Sequence, residues 1–186
     1  NEGFHEIWWF YCSAGTDSLD KYVIYNYIED TWYHGNLART AWLDSGLRDF
    51  PLAATYSNNL VNHEEGIDNN ELGADTPIAA TISSAEFDIE DGDRFSFVYR
   101  VMPDLTFDGS TAAAPAATMT LTPLNNSGSG YNNPASVGGS NTGLVVRTTT
   151  VPIEQFTGQV NTRVRGRQMS FTVASTDAGV TWQLGA

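Results

Sequence analysis

Cysteine and lysine are almost missing from this chain of 186 residues, which has one of each, Cys12 and Lys21. A single cysteine excludes a disulfide within the chain. Cys12 lies in an aromatic run, where a buried, inert thiol is more common than a reactive one. No apolar run is long enough to cross a bilayer as a helix, so we expect no membrane partner.

Positive charge is also scarce: nine Lys and Arg residues stand against 22 Asp and Glu residues, which gives a net charge of −13. Proteins that coat nucleic acid need clustered cations to neutralise phosphates. The composition therefore excludes an ordinary nucleic-acid-binding protein. A strongly acidic surface suits solubility, or a passage through which DNA slides without sticking, because like charges repel.

Helical periodicity is absent, and β-prone runs take its place. Residues 6–12 and 21–28 are rich in aromatic and β-branched side chains, and a turn-rich stretch separates them. They predict two adjacent antiparallel strands, with apolar groups on both faces of the second, as in a sheet packed between other sheets. Further short strands are predicted as far as residue 64. This succession resembles a kelch-like β-propeller blade.

The composition changes near residue 68, and we predict two regions: a β-propeller blade segment at 1–72 and an antiparallel β-sandwich or platform region at 73–186. In the second region, alternating apolar residues around Asp91-Gly92 predict a hairpin over residues 78–102. Residues 125–143, rich in Asn, Ser and Gly, predict a long loop. The expected fold class is all-β with essentially no helix, and both ends suggest a piece of a longer protein.

Residues 175–182 match the Asp-box pattern, Ser-x-Asp-x-Gly-x-Thr-Trp, at every position. We expect Asp177 to accept backbone N–H groups of a tight turn, Gly179 to adopt a positive φ, and Trp182 to begin the return strand of a hairpin. The segment resembles the Asp-boxes of sialidase-type propellers. In those proteins the Asp-boxes are structural hairpins that lie far from the active site. The motif therefore predicts a structural turn and not catalysis.

Three of the eight arginines, Arg163, Arg165 and Arg167, alternate along one predicted strand, which places them on one face. A bulge near Gly166 would put Val164 on the core face. The arginines have three possible roles: contact with acidic residues of a neighbouring subunit, contact with DNA phosphate, or a solvated face with local ion pairs.

Candidate metal and cofactor ligands are weak. Residues 88–93 carry four carboxylates, but a hairpin turn explains them without calcium, and the spacing differs from that of an EF-hand loop. His5, His34 and His63 are far apart and lack the spacing of metal ligands. We therefore expect no cofactor and no enzyme activity.

Four stretches together carry a family resemblance: residues 6–15, 20–32, 163–169 and 175–185. They resemble the tail nozzle, or tail tubular, proteins of short-tailed bacteriophages. The resemblance implies a virion structural protein in the phage tail, assembled in the host cytoplasm as a homo-oligomeric ring, typically a hexamer. Its implied partners are the adaptor on the portal side, other tail proteins, and genomic DNA that passes without sequence-specific binding.

A carbohydrate-active module remains the alternative, because the chain has many aromatic residues and an Asp-box. A sialidase-like propeller would need an arginine cluster for the substrate carboxylate, a Tyr–Glu nucleophile pair and an acidic proton donor. The sequence offers no ordered set of these residues, and the alternative stays open as a glycan-binding or glycan-hydrolysing β-propeller module.

Overall fold

The computed structural model describes residues 1–46, 48–125 and 147–185. The all-β prediction is confirmed: 46% of the chain is strand and 2% is helix, in several antiparallel sheets, none of which is closed. The helical part is a 3-10 turn, Glu2–Phe4. Two compact units form, one from residues 1–66 and 71–73, the other from 67–70 and 74–186. The predicted boundary at residue 72 thus falls where the chain alternates between units.

The first unit contains two three-stranded antiparallel sheets, each a meander. The first sheet has the order β1-β2-β3 and the second β4-β5-β6. The predicted pairing of the two aromatic strands is confirmed, with Glu6 opposite Asn26 and Tyr11 opposite Lys21. The strands are β1 (Glu6–Tyr11), β2 (Lys21–Asn26), β3 (Thr31–Asn36), β4 (Ala41–Leu43), β5 (Leu52–Ala54) and β6 (Leu60–Asn62).

The second unit contains a five-stranded sheet of order β12-β11-β14-β7, with β8 also paired to β14, and two separate strand pairs, β9–β13 and β10–β15. All pairings are antiparallel. The strands are β7 (Ala80–Ser83), β8 (Phe87–Asp88), β9 (Ser96–Val101), β10 (Leu105–Thr106), β11 (Ala116–Leu124), β12 (Thr149–Glu154), β13 (Val160–Gly166), β14 (Gln168–Ser175) and β15 (Gln183–Leu184).

The core of the second unit lies on one face of the five-stranded sheet. Strand β11 alternates buried Ala117, Met119 and Leu121 with threonines on its other face, the two-residue period of a half-buried strand. Side chains from the two strand pairs pack against the same cluster. Its buried members are Phe107, Ala117, Met119, Leu121, Ile153, Val164, Met169 and Val173.

The predicted hairpin over residues 78–102 is wrong. A turn does form there, with positive φ at Glu90 and Gly92. However, β7 and β8 pair with β14, whereas β9 pairs with β13. The two arms thus enter different sheets, and apolar side chains near both arms, including Ile89 and Val98, pack against the same core.

The continuous strand predicted through the arginines divides instead into β13 and β14, which belong to different sheets. The register of β13 shifts between Asn161 and Val164. Val164 is 1% exposed, so its predicted core position is confirmed. Gly166 is the last residue of β13, where the chain passes from one sheet to the other. A Cβ at this position would come 2.8 Å from the Gln168 carbonyl oxygen and 3.0 Å from that of Leu124.

The predicted Asp-box hairpin is also wrong. Strand β14 precedes the Asp-box turn and belongs to the five-stranded sheet, whereas β15 follows it and pairs with β10. The turn therefore connects two sheets. The long loop predicted at residues 125–143 lies, beyond Asn125, outside the described residues.

Candidate interaction surfaces

An open aromatic surface covers one side of the first sheet. Along β1 the side chains alternate between half-buried and exposed, so Trp9 projects to the exposed side. Trp32 of β3 stacks on Tyr25 with ring centroids 4.6 Å apart and on Trp9 at 5.9 Å. Trp9 is 46% exposed and Trp32 63%. We call these three residues the aromatic stack. The expected packing on both faces of this sheet is not found within the described residues.

The opposite side of the first sheet packs against the second sheet through aromatic rings. Trp8 stacks on Tyr22 at 5.2 Å and contacts Trp42 of β4 at the same centroid distance. Trp42 also lies 4.5 Å from the ring of His63. Adjacent aromatic rings contribute about 0.5–1.5 kcal/mol per pair beyond their buried area. This cluster therefore holds the two meanders of the first unit together.

A buried arginine lies beside this cluster. Arg39 is 7% exposed, and its Nε donates to His63 Nε2 at 2.9 Å. Its Nη1 donates to Glu71 Oε2 at 3.1 Å and to the Ala38 carbonyl at 2.7 Å. Ser57 also donates to Glu71, which with Arg39 lowers the pKa of that carboxyl. We call Arg39, His63 and Glu71 the buried triad.

The His63 side chain is half-buried. Burial, and then the charge of Arg39, lower the pKa of His63 to about 4. The neutral ring fits the hydrogen bond, because Nε2 accepts from Arg39. The partners of this group stand 24 and 32 residues from Arg39. The local sequence around each carries no signal of the contact, which is why sequence analysis missed Arg39 and Glu71.

The low pKa of His63 predicts a loss of stability in mild acid. Its folded pKa, about 4, is below the ordinary value of 6.5, so the unfolded chain binds the extra proton between these values. The stabilisation is complete above pH 6.5 and is lost as pH falls towards 4. Urea unfolding at pH 7 and pH 4.5 should show a larger loss for the wild type than for His63→Gln. We expect a difference of about 1 kcal/mol, since solvent screens the half-exposed ring. Equal losses would contradict the prediction.

The predicted arginines occupy two environments. Arg163 and Arg165 are exposed on β13, whereas Arg167 is half-buried in the link to β14. The guanidinium carbons of Arg165 and Arg167 lie 4.5 and 5.3 Å from the ring centroid of Phe95. The Nε of Arg167 is buried and has no hydrogen-bond partner among the described residues.

Exposed aromatic residues border these arginines. Phe97 lies opposite Arg165 across the β9–β13 pair and is 56% exposed. Tyr99 is 64% exposed, and the guanidinium carbon of Arg100 lies 6.0 Å from its ring centroid. Contacts of this kind are worth about 0.5–1 kcal/mol each at exposed sites. We call the whole set the arginine–aromatic face: Phe95, Phe97, Tyr99, Arg100, Arg163, Arg165 and Arg167.

The Asp-box turn is held by a residue outside the motif. Gly179 has φ of +74°, the left-handed conformation that the motif predicts. Its N–H lies 2.8 and 2.9 Å from the two carboxylate oxygens of Asp68, 111 residues away. Asp177 is exposed, and its carboxylate accepts no hydrogen bond from the described residues. The acceptor role predicted for Asp177 therefore belongs to Asp68.

Two further contacts fix the same turn. The Gly179 carbonyl accepts hydrogen bonds from the backbone N–H groups of Thr111 and Ala112 at 2.9 and 3.0 Å. The indole N–H of Trp182 donates to Ser175 Oγ at 2.9 Å, which joins the two ends of the motif. Trp182 also packs against the core of the second unit. These contacts give the motif a structural role in the described fold.

Within residues 1–46, 48–125 and 147–185, no group of three or more His, Cys, Asp and Glu side chains is arranged to hold a metal ion. In the acidic segment 88–93, Asp88 accepts a hydrogen bond from Gln168 Nε2 at 2.8 Å, and Glu90 accepts one from Ser96. No described helix has the length and apolar character needed to span a membrane.

Comparison with known proteins leaves the family open: no family model matches the sequence, and no curated protein matches it significantly.

Proposed function

We propose that the chain is a non-enzymatic structural subunit that assembles with copies of itself. The observation that carries this proposal is the aromatic stack of Trp9, Tyr25 and Trp32, whose two tryptophans are 46% and 63% exposed. Extended exposed apolar patches mark interaction sites, and aromatic residues are enriched at the centres of protein interfaces. Burial of apolar surface contributes about 25 cal/mol per Å², so covering two tryptophans favours association.

We further propose that this assembly is the ring-shaped DNA exit channel of a short-tailed phage tail. The resemblance of the aromatic strands and of residues 163–169 to tail nozzle proteins supports this proposal. The net charge of −13 agrees with a channel that DNA passes without adhering. In this proposal the two meanders of the first unit are incomplete propeller blades, since a full blade has four strands and each meander has three. The second unit serves as the sandwich-like platform.

Measurement of the mass of the purified protein tests the assembly. We expect the wild type to form an oligomer by light scattering and native mass spectrometry, and a six-fold ring in negatively stained images. Trp9→Ala/Trp32→Ala should shift the mass towards the monomer, because it removes the surface that association covers. Phe156→Ala is the matched control, since Phe156 is 91% exposed but lies outside the aromatic stack. A wild-type protein that stays monomeric at tens of micromolar would exclude the proposal.

Binding of a glycan is the second candidate, and the same exposed rings favour it. Aromatic faces stack on sugar rings, and Trp9 and Trp32 are both accessible. A glycan array and the change of tryptophan fluorescence on titration test this candidate. A monomer whose sugar binding is lost in Trp9→Ala/Trp32→Ala would establish it in place of self-assembly. Hydrolysis of a sialoside would contradict the non-enzymatic role.

A further inference from the structure

The arginine–aromatic face concentrates the positive charge of an acidic protein. The second unit has six arginines, and four of them belong to this face: Arg100, Arg163, Arg165 and Arg167. Within the described residues, ion pairs are formed by Arg39, Arg94 and the amino terminus, and none by these four. A cluster of arginines without carboxylate partners, in a chain with 22 acidic residues, indicates that an external anion supplies the pairing.

The composition of the face distinguishes a protein partner from a nucleic acid. It joins arginine with Phe and Tyr and contains no Lys, Asp or Glu, which is the composition of the centre of a protein interface. Arg165 is held against the Phe95 ring, so part of its conformational freedom is already restricted before a partner binds. An acidic polypeptide surface is therefore the favoured ligand.

The densest acidic surface of the chain is the turn at residues 88–93, with four exposed carboxylates in six positions. Positive φ values at Glu90 and Gly92 form the turn that exposes Glu90, Asp91 and Asp93. The one ion pair described here, Asp93 with Arg94 at 3.4 Å, joins side chains that are 61% and 78% exposed. Such a pair is worth little. Asp88 and Glu90 each accept one hydrogen bond, from Gln168 and Ser96, and their remaining lone pairs face solvent together with the carboxylates of Asp91 and Asp93.

We propose that the arginine–aromatic face of one copy binds the acidic turn at residues 88–93 of a second copy. This inference rests on the proposed self-assembly and names a second contact between copies, in addition to the one made by the aromatic stack. The guanidinium groups of Arg163 and Arg165 pair with carboxylates of the turn. The forked N–H groups of a guanidinium suit bidentate contact with a carboxylate. The rings of Phe97 and Tyr99 supply apolar surface that excludes water around the charges.

Charge reversal in two complementary variants tests the contact. One variant is Arg163→Glu/Arg165→Glu, and the other is Glu90→Arg/Asp91→Arg. We expect each variant alone to associate at least tenfold more weakly than the wild type in analytical ultracentrifugation. An equimolar mixture should recover a mixed oligomer, because each variant supplies the charge that the other lacks. Arg48→Glu/Arg147→Glu is the matched control, since it makes the same charge change at two exposed arginines elsewhere.

The outcomes separate this contact from self-assembly itself. A wild-type monomer would refute the proposed function, and the contact with it. If Arg163→Glu/Arg165→Glu weakens association no more than the control Arg48→Glu/Arg147→Glu does, the contact alone is overturned. An equimolar mixture of the two complementary variants that stays dissociated would also overturn it. Binding of a single-stranded oligonucleotide that requires Arg163 and Arg165, with the oligomer unchanged, would also overturn it in favour of nucleic acid. Circular dichroism checks folding, and Arg163→Glu alone serves if the double variant does not fold.

Discussion

Glu71→Ala is expected to lower the free energy of unfolding of the first unit by about 3 kcal/mol. The substitution leaves Arg39 without its carboxylate partner, and the Arg39 side chain is 8% exposed. Removing one member of a buried ion pair costs about 3–5 kcal/mol, because the remaining charge is buried and unpaired. We expect the lower end of that range, since the Glu71 side chain is 20% exposed and water can reach the site. The hydrogen bond from Ser57 is lost as well.

Urea unfolding followed by tryptophan fluorescence measures this loss. Glu65→Ala is the matched control, because Glu65 is exposed and its described contact is one hydrogen bond from Asn62; we expect it to cost about 0.5 kcal/mol or less. Arg39→Met/Glu71→Leu should recover most of the lost stability, since replacing both charges by apolar groups removes the uncompensated charge. Equal losses in Glu71→Ala and Glu65→Ala would show that the ion pair contributes nothing.

The buried triad illustrates why the sequence alone predicts only part of this structure. The pairing of β1 with β2 was predictable, because aromatic and β-branched runs on both sides of a short turn-rich stretch specify an antiparallel pair locally. The contact of Arg39 with Glu71 spans 32 residues and has no local pattern. Its existence depends on how the second meander folds back, which a residue-by-residue reading does not reveal.

The two wrong hairpins have the same cause. Turn residues at Asp91-Gly92 and around Gly179 correctly indicate that the chain reverses or bends, since both glycines have positive φ. Turn chemistry does not specify the strand with which each arm pairs. Strand β9 pairs with β13 and strand β15 with β10, which are distant along the chain. Core packing from several strands decided these partners, so the local hairpin signals were overridden.

The arginine–aromatic face was predictable from the sequence in part. Alternation of Arg163 and Arg165 predicted a shared strand face, and the alternation of Phe95, Phe97 and Tyr99 predicted one apolar side of another strand. Neither pattern showed that the two strands would be neighbours. Their pairing places Arg165 opposite Phe97 and turns two separate signals into one surface. The components of the candidate site were therefore visible in the sequence, and their combination required the fold.

Asp68→Ala is expected to lower the free energy of unfolding of the second unit by about 2 kcal/mol. The Gly179 N–H is held by both oxygens of the Asp68 carboxylate, and Gly179 itself is buried. Hydrogen bonds to a charged group contribute about 1.5–3 kcal/mol, and the substitution leaves a buried N–H unsatisfied. The loss should appear in urea unfolding as a lower midpoint with an unchanged slope, because the folded structure is otherwise retained.

Asp177→Ala is the matched control for this prediction, and it separates the motif from the contact. Both substitutions remove one aspartate near the same turn and change the net charge equally, but Asp177 is exposed and Asp68 is half-buried. We expect Asp177→Ala to change stability by about 0.5 kcal/mol or less, as surface substitutions usually do. The reverse order, with Asp177→Ala the more damaging, would mean that the motif aspartate closes the turn and that the Asp68 bond is incidental. In the expected order, Asp68 contributes more to the stability of the Asp-box turn than any aspartate of the motif itself. The structural reason is that the turn connects two sheets and is held by the chain segment 67–70, which belongs to the second unit.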